Sequence, residues 1–215
     1  MKVVTLLSGG IDSVTLLHYL VKVVKADTIA LSFNHGQRNK VELKYAIKAC
    51  RKLSVPYEVM DISSIMQAIK KPQSQQKNSL DSKPSRNMIM LAIAVGYAAS
   101  INYEYVAIAA NADDSYNFPD CKKSFINAMR LASKLGTYNS VDIYTPFINL
   151  TKSQIVYLGK KLGINYDSET WSCYRGGRKH CGLCHACILR DTALRESVHV
   201  QASHIKEASH GKILI

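Results

Sequence analysis

Long apolar runs are missing from this 215-residue sequence. No stretch approaches the ~20 consecutive apolar residues that a membrane-spanning helix needs. The first apolar run, Val3-Val4-Thr5-Leu6-Leu7, is interrupted by Ser8-Gly9-Gly10 too soon to serve as a signal peptide. A cytoplasmic protein without membrane segments is therefore expected. Acidic residues are scarce as well: 16 Asp and Glu stand against 28 Lys and Arg, a net charge of +12. That balance favours polyanionic ligands, although a solvated basic surface accounts for it equally well. The aromatics form no obvious stacking platform and the basic residues are spread along the chain, so no separate RNA-binding module is visible. No internal repeat occurs. At 47% hydrophobic residues the composition suits one large domain with a small appendage.

Strand-like and helix-like segments alternate. After Ser8-Gly9-Gly10, residues Val14, Leu17, Leu20, Val21 and Val24 recur at helical spacing, and Thr28-Ile29-Ala30-Leu31-Ser32-Phe33 reads as a buried strand. Leu43, Ala46, Ile47, Cys50 and Leu53 share a second helical face, which makes Cys50 a core residue, and Tyr57-Glu58-Val59-Met60 is a third strand. Residues 70–85 are polar, aperiodic and contain two prolines, the composition of a mobile loop. From Met88 to Ala99 the chain is apolar on every side, which predicts a helix packed deep between layers. A strand at 105–110, a loop from Asn111 to Pro119, a helix from about Lys122 to Leu135, a strand near Val141 to Tyr144 and a helix after Thr151 complete the pattern. Such alternation predicts an α/β fold, a doubly wound and mostly parallel sheet. Ligands in such sheets collect at the carboxyl ends of strands, where Ser8, Asn34, Asn111 and Pro146 would emerge.

The hexapeptide Ser8-Gly9-Gly10-Ile11-Asp12-Ser13 lies where the first strand feeds the first helix. Its glycines let backbone approach an anion, and the helix N-terminus offers unpaired N–H groups that the hydroxyls of Ser8 and Ser13 can supplement. The plainer alternative is a glycine turn with Asp12 or Ser13 as an ordinary N-cap. It is not a Walker A loop, because the required lysine is absent. The motif SGG-x-DS resembles instead the PP-loop of ATP pyrophosphatases, which hold the β and γ phosphates while a substrate oxygen attacks the α phosphorus.

Cys173, Cys181, Cys184 and Cys187 are spaced C-x7-C-x2-C-x2-C. Four clustered thiolates in a cytoplasmic chain fit a closed, structural zinc site; disulfides or a redox pair are the competing explanations. With all four ligands sulfur, His180 and His185 are left beside the metal or exposed. Cys121, outside the cluster, reads as a packed residue.

Taken together, these motifs are similar to those of the 7-cyano-7-deazaguanine synthase (QueC) family, over a span from Ser8 to about Leu194. Further pieces of the likeness are Phe33-Asn34-His35-Gly36-Gln37-Arg38, Arg86-Asn87, Asp114, Pro119-Asp120-Cys121, Thr145-Pro146 with Lys152, and Glu169-Thr170 before Cys173-Tyr174. The resemblance implies an adenine nucleotide α-hydrolase-like domain over 1–165 and a zinc-binding segment with a C-terminal helix over 166–215. It implies ATP, Mg2+ and structural Zn2+ as cofactors, and conversion of 7-carboxy-7-deazaguanine with ammonia to the nitrile through two adenylations. Leu7, Ser8, Gly9, Gly10, Ile11, Asp12, Ser13, Val14, Thr15, Asn34 and Asn87 would then line the nucleotide site. Asp12, Arg86 and Lys152 are the catalytic candidates, with surface ion pairing as the alternative for Arg86 and Lys152. The chain departs from the family at Asn34-His35, where Asp-Tyr is usual, and at Ala109 to Phe118, where a carboxylate is lost at Ala112. With the basic charge, those departures keep three readings open: the nitrile-forming synthase, a ligase passing the same acid to another amine such as a protein N-terminus, and a basic zinc module that binds RNA or a tRNA-modifying relative. A homodimer is compatible with all of them.

Overall fold

The computed structural model describes residues 1–37, 41–69, 85–177 and 179–208. The expected loop at 70–85, apart from Ser85, and Arg38 of the second strand end lie outside the described residues. Five strands, β1 (Lys2–Leu6), β2 (Asp27–Asn34), β3 (Tyr57–Asp61), β4 (Tyr105–Ala107) and β5 (Asp142–Tyr144), pair in the order β3-β2-β1-β4-β5, every pair parallel. The helices are α1 (Ile11–Tyr19), α2 (Val41–Leu53), α3 (Ser63–Ala68), α4 (Arg86–Ser100), α5 (Ala112–Asn117), α6 (Lys123–Gly136), α7 (Lys152–Lys161), α8 (Tyr166–Glu169), α9 (His185–Glu196) and α10 (Ala202–Ala208). No helix among the described residues is long and apolar enough to cross a membrane.

Alternation along each strand sorts the two layers. Val4, Leu31, Phe33, Val106 and Ile143 point to the face covered by α4 and α6. Val3, Ala30 and Ala107 point to the opposite face, under α1, α2 and α7. Helix α1 lies deepest: eight of its nine residues are buried. The chain continues from it through a π-helical turn, Leu20–Val24.

Two sequence expectations need correction. The apolar segment after Met88 is not enclosed on all sides. Leu91, Ala94, Val95 and Ala98 of α4 are buried, while Met88, Ala92 and Gly96 face solvent. Their side chains are small or sit at the helix end, so solvating that face costs little and the hydrophobic count overstates burial. The stretch from Asn111 to Pro119 is not a plain loop, since it contains α5. Asn111 Oδ1 accepts the Asp114 N–H at 2.9 Å, and Asp113 and Asp114 complement the positive end of the helix. The fourth strand also ends early, at Ala107, where the chain departs towards the segment before α7 and the Ala112 N–H donates to Leu150 at 2.9 Å.

Residues from 166 onward pack into the same cores. Tyr166 and Ala193 join the cluster around Leu17 and Val156, and Ile205 joins that around Leu16 and Phe147. Gly159 of α7 permits one such approach, because a Cβ there would lie 1.8 Å from the Tyr166 hydroxyl, which is 2.7 Å from Thr15 Oγ1 of α1.

His18 of α1 is fully buried and neither imidazole nitrogen has a hydrogen-bond partner; its nearest carboxylate, Glu169, lies 4.0 Å away and is held by Lys52 at 2.8 Å. Burial, reinforced by Lys22 and Lys52 and opposed by Glu169, lowers its pKa to about 4. The unfolded chain therefore binds a proton at His18 that the folded chain refuses. Stability from this group is complete above the unfolded value of about 6.5 and is lost as pH falls towards 4, by about 3 kcal/mol. We expect the urea midpoint to fall between pH 7 and pH 4.5, and His18→Leu to flatten that fall; equal pH dependence in both proteins would show that His18 is not the acid-sensitive group.

Candidate active site

The strand order places a crevice beside β1, where the chain leaves to β2 on one side and returns through β4 on the other. Three carboxyl ends converge there. The turn after β1 carries Ser8 to Ser13, the turn after β4 leads into α5, and the turn after β5 leads to α7.

The glycine turn is built by close approach. Gly9 has φ +89°, and a Cβ on it would stand 2.1 Å from the Glu42 carbonyl oxygen of α2. Only glycine fits both the conformation and the space. Within the turn the Gly10 N–H donates to Ser8 Oγ at 3.3 Å, Ser13 Oγ donates to the Gly10 carbonyl at 3.3 Å, and the two seryl oxygens are 3.0 Å apart. Gly10 is the N-cap of α1 and makes no side-chain cap. The first-turn N–H groups are thus left without a side-chain cap, the arrangement that suits an anion, and the alternative of an Asp12 or Ser13 N-cap is not what the geometry shows.

Lys152 opens α7, an unfavourable place for a cation because it faces the positive end of the helix dipole. It is tolerated because acids surround it. Its ammonium lies 2.7 Å from Asp12 Oδ2 and 3.5 Å from Asp114 Oδ1, and its backbone N–H donates to Asp113 Oδ2 at 2.7 Å. A capping box between Thr151 and Gln154 satisfies the rest of the helix start. Lys152 and Asp12 side chains are only 14% and 19% exposed, so this is an enclosed pair and not the surface ion pair that was the alternative for Lys152. Burial opposes the Lys152 charge, but Asp12 and Asp114 outweigh it and hold the pKa above the usual lysine value. For Asp12 burial dominates and, with Asp114 and Asp113, raises the pKa against the pull of Lys152. Asp12 Oδ1 is buried with no hydrogen-bond partner. An orphaned carboxylate oxygen beside the glycine turn fits a divalent cation, which Asp12 would hold.

The remaining predicted residues are distributed around this core. Leu7, Ile11, Val14 and Thr15 are buried behind the turn and shape it from within. Asn34, at the end of β2, donates to Asp61 at 2.6 Å and sits on the β3 side of the crevice. Asn87 is engaged with Asp120 and Cys121: its N–H donates to Asp120 Oδ2 at 3.0 Å and its side-chain amide to the Asp120 carbonyl at 3.3 Å. Arg86, exposed at the start of α4, acts electrostatically on Glu42 and Tyr174. Cys121 is buried, its thiol pushed up to about 12 by burial and by Asp114 and Asp120, as a packed residue should be.

Three participants escaped the sequence reading. Glu42, in the first turn of α2, accepts from Gln37 at 3.3 Å, and burial pushes its carboxyl up to about 7 against the pull of Arg86. Asp113 supports the Lys152 backbone. Trp171 touches the glycine turn itself, its backbone N–H donating to the Gly9 carbonyl at 2.9 Å. A sole tryptophan two residues before a cysteine cluster was the available signal.

The four cysteine sulfurs lie within 4.8 Å of one another. Sγ of Cys181 and Cys187 are 3.9 Å apart, far beyond a disulfide bond and close to the ~3.8 Å edge of a tetrahedron with metal–sulfur bonds of ~2.3 Å. N–H groups of Leu183 and Cys184 lower the Cys181 pKa to about 6, which favours the thiolate a metal requires. The cluster fits a metal ion. His180 packs on Trp171 and accepts the Ser172 N–H at 3.3 Å, and His185 is exposed; neither is needed as a ligand.

The family model described as queuosine biosynthesis protein QueC matches residues 2–198. The 7-cyano-7-deazaguanine synthase of Pseudoalteromonas translucida is 39% identical over 198 residues, covering 86% of this chain and 90% of the relative. That of Caldicellulosiruptor bescii is 38% identical over 208 residues, covering 91% and 93%. Among solved structures, the NMN synthetase from Francisella tularensis aligns with a TM-score of 0.59 at 18% identity, over 99% of this chain and 87% of that one. The U34-tRNA thiolase NcsA from Methanococcus maripaludis, with its 4Fe-4S cluster, aligns with a TM-score of 0.59 at 17% identity, over 98% and 68%. At such identities these two structures establish the PP-loop fold alone.

Two substitutions test the site's construction. Gly9→Ala should cost at least about 2 kcal/mol in urea unfolding, since the added methyl meets backbone and not a movable side chain. Wild-type stability would mean that α2 does not press on the turn. Cys184→Ser should release the bound metal, read by elemental analysis; an unchanged metal content would remove the cluster from the binding site.

Proposed function

Because the chain belongs to the QueC family of queuosine biosynthesis proteins, we propose that it is an ATP-dependent ligase that converts 7-carboxy-7-deazaguanine and ammonia to 7-cyano-7-deazaguanine. The observation that supports it most directly is the enclosed Asp12–Lys152–Asp114 group beside an uncapped helix start. It supplies a fixed cation and an unsatisfied carboxylate oxygen where triphosphate would lie.

The substrate carboxylate is a poor acyl donor. Attack of its oxygen on the α phosphorus of ATP breaks the bond to pyrophosphate and leaves an acyl adenylate. Ammonia then forms the C–N bond as AMP departs, giving the amide. A second adenylation, on the amide oxygen, again releases pyrophosphate; the nitrogen then gives up both its protons as the C–O bond to AMP breaks, leaving the nitrile. In each round the Ser8–Ser13 turn and the α1 N–H groups hold the departing pyrophosphate, with the hydroxyls of Ser8 and Ser13 as additional donors. Lys152, oriented by Asp12 and Asp114, faces charge that grows in the transition state. Mg2+ held by Asp12 would neutralise phosphate charge. Arg86 and Asn87 stand at the start of α4 for the substrate carboxylate. Zn2+ on Cys173, Cys181, Cys184 and Cys187 would be structural, since four sulfurs leave no open position. We assign residues 1–165 to nucleotide binding and 166–215 to the metal segment, in a cytoplasmic enzyme.

Incubation with ATP, Mg2+, 7-carboxy-7-deazaguanine and ammonium, followed by mass analysis, should give AMP, pyrophosphate and the nitrile. AMP without nitrile would replace the synthase by a ligase that stops at an amide. Lys152→Ala should lower the rate of AMP formation by about 100-fold or more, the scale of a lost charge-stabilising donor, and Asp12→Ala should abolish it. Normal AMP formation in either variant would remove that residue from the chemistry. Elemental analysis should find zinc; iron with visible absorbance would reassign the cluster.

A further inference from the structure

The sole tryptophan of the chain, Trp171, is 3% exposed and stands between the cysteine cluster and the glycine turn. On one side its backbone N–H donates to the Gly9 carbonyl at 2.9 Å. On the other its indole N–H donates to the carbonyl of the metal-ligand residue Cys173 at 3.0 Å. The indole stacks on Tyr45 of α2 with ring centres 5.6 Å apart and meets His180, next to Cys181, at 4.5 Å. Trp171, Cys173 and Cys187 form one buried cluster with Val41, Tyr45, Cys181 and Cys184 around it.

Gly9 is thereby gripped from two directions, by the Glu42 carbonyl of α2 and by Trp171. The second contact controls orientation. A peptide unit is planar and trans, so its C=O and N–H point opposite ways. Fixing the Gly9 carbonyl on Trp171 therefore fixes the direction of the Gly10 N–H, which is turned to Ser8 Oγ at 3.3 Å. Between two glycines such a plane could otherwise rotate at little steric cost. The described part of the segment from Ser172 to Cys184 has no helix or strand, so its shape depends on the metal that its cysteines bind.

We propose that Trp171 is a positioning residue that carries the metal-held shape of the cysteine segment to the Gly9–Gly10 peptide, so that metal occupancy sets the affinity of the turn for ATP. The proposal rests on the assignment of the turn as the ATP site.

Three measurements test it on the full chain: the ATP Kd by calorimetry with Mg2+, hydrogen exchange of amides 8–13, and metal content. Trp171→Ala should raise the Kd about ten-fold, a loss of about 1.4 kcal/mol of binding, and speed exchange of those amides while metal content stays that of the wild type. Trp171→Phe, which keeps a ring against Tyr45, should recover most of the affinity. Chelating the metal from the wild type should produce the same rise in Kd and shift the emission of Trp171, both reversed by added zinc. This arm decides the matter if Trp171→Ala does not fold. A folded Trp171→Ala protein with wild-type Kd and amide exchange, or a metal-free wild type that keeps both, would overturn the proposal. If the wild-type protein binds no ATP, the assignment of the turn fails, and the exchange rates alone still show whether Trp171 holds it.

Discussion

The carbonyl of Glu42 leaves no space for a side chain at residue 9, and the site follows from that close approach. With Gly9 pressed on α2, the chain leaving β1 must turn sharply and enter α1 uncapped. An uncapped start needs an anion or water to satisfy its N–H groups, which is the electrostatic basis of the pyrophosphate-holding role proposed for it. Lys152 adds a discrete positive charge to this diffuse one. Its place at the start of α7 is possible only because Asp12, Asp113 and Asp114 arrive from two other strand ends. Parallel topology makes the convergence, since all five strands present the same end to the crevice.

Much of this was legible from residues. The alternation of apolar runs and helical faces specified a parallel α/β sheet, and SGG-x-DS after an apolar run located the glycine turn into α1 because its physics is local. The clustering of the four cysteines was equally readable, since a tetrahedral metal site imposes close spacing on its ligands. Burial of α4 was overread because apolarity does not say which side meets solvent; Ala92 and Gly96 are apolar and exposed. Helix α5 was missed because its stabilisation comes from Asn111 capping and two first-turn aspartates, a pattern equally suited to a polar loop.

The residues that escaped notice share a reason. Glu42, Asp113 and Trp171 act through backbone or through neighbours distant in sequence. Trp171 reaches Gly9 by its amide, which every residue except proline carries, so its side chain announces burial and not the contact. Asp113 serves the backbone of Lys152. Such roles depend on register and topology, which appear only once the strands are ordered.

The ends of the chain complete one another. Asp12 and Lys152 are 140 residues apart, and Thr15 and Tyr166 are 151 apart. During synthesis the first strand and its turn emerge early, yet the groups that fix the turn, Lys152, Tyr166 and Trp171, belong to the last third of the sequence. A nascent polypeptide therefore leaves the glycine turn unbraced until Trp171 has been made, and a product cut short before Lys152 leaves Asp12 without its cation.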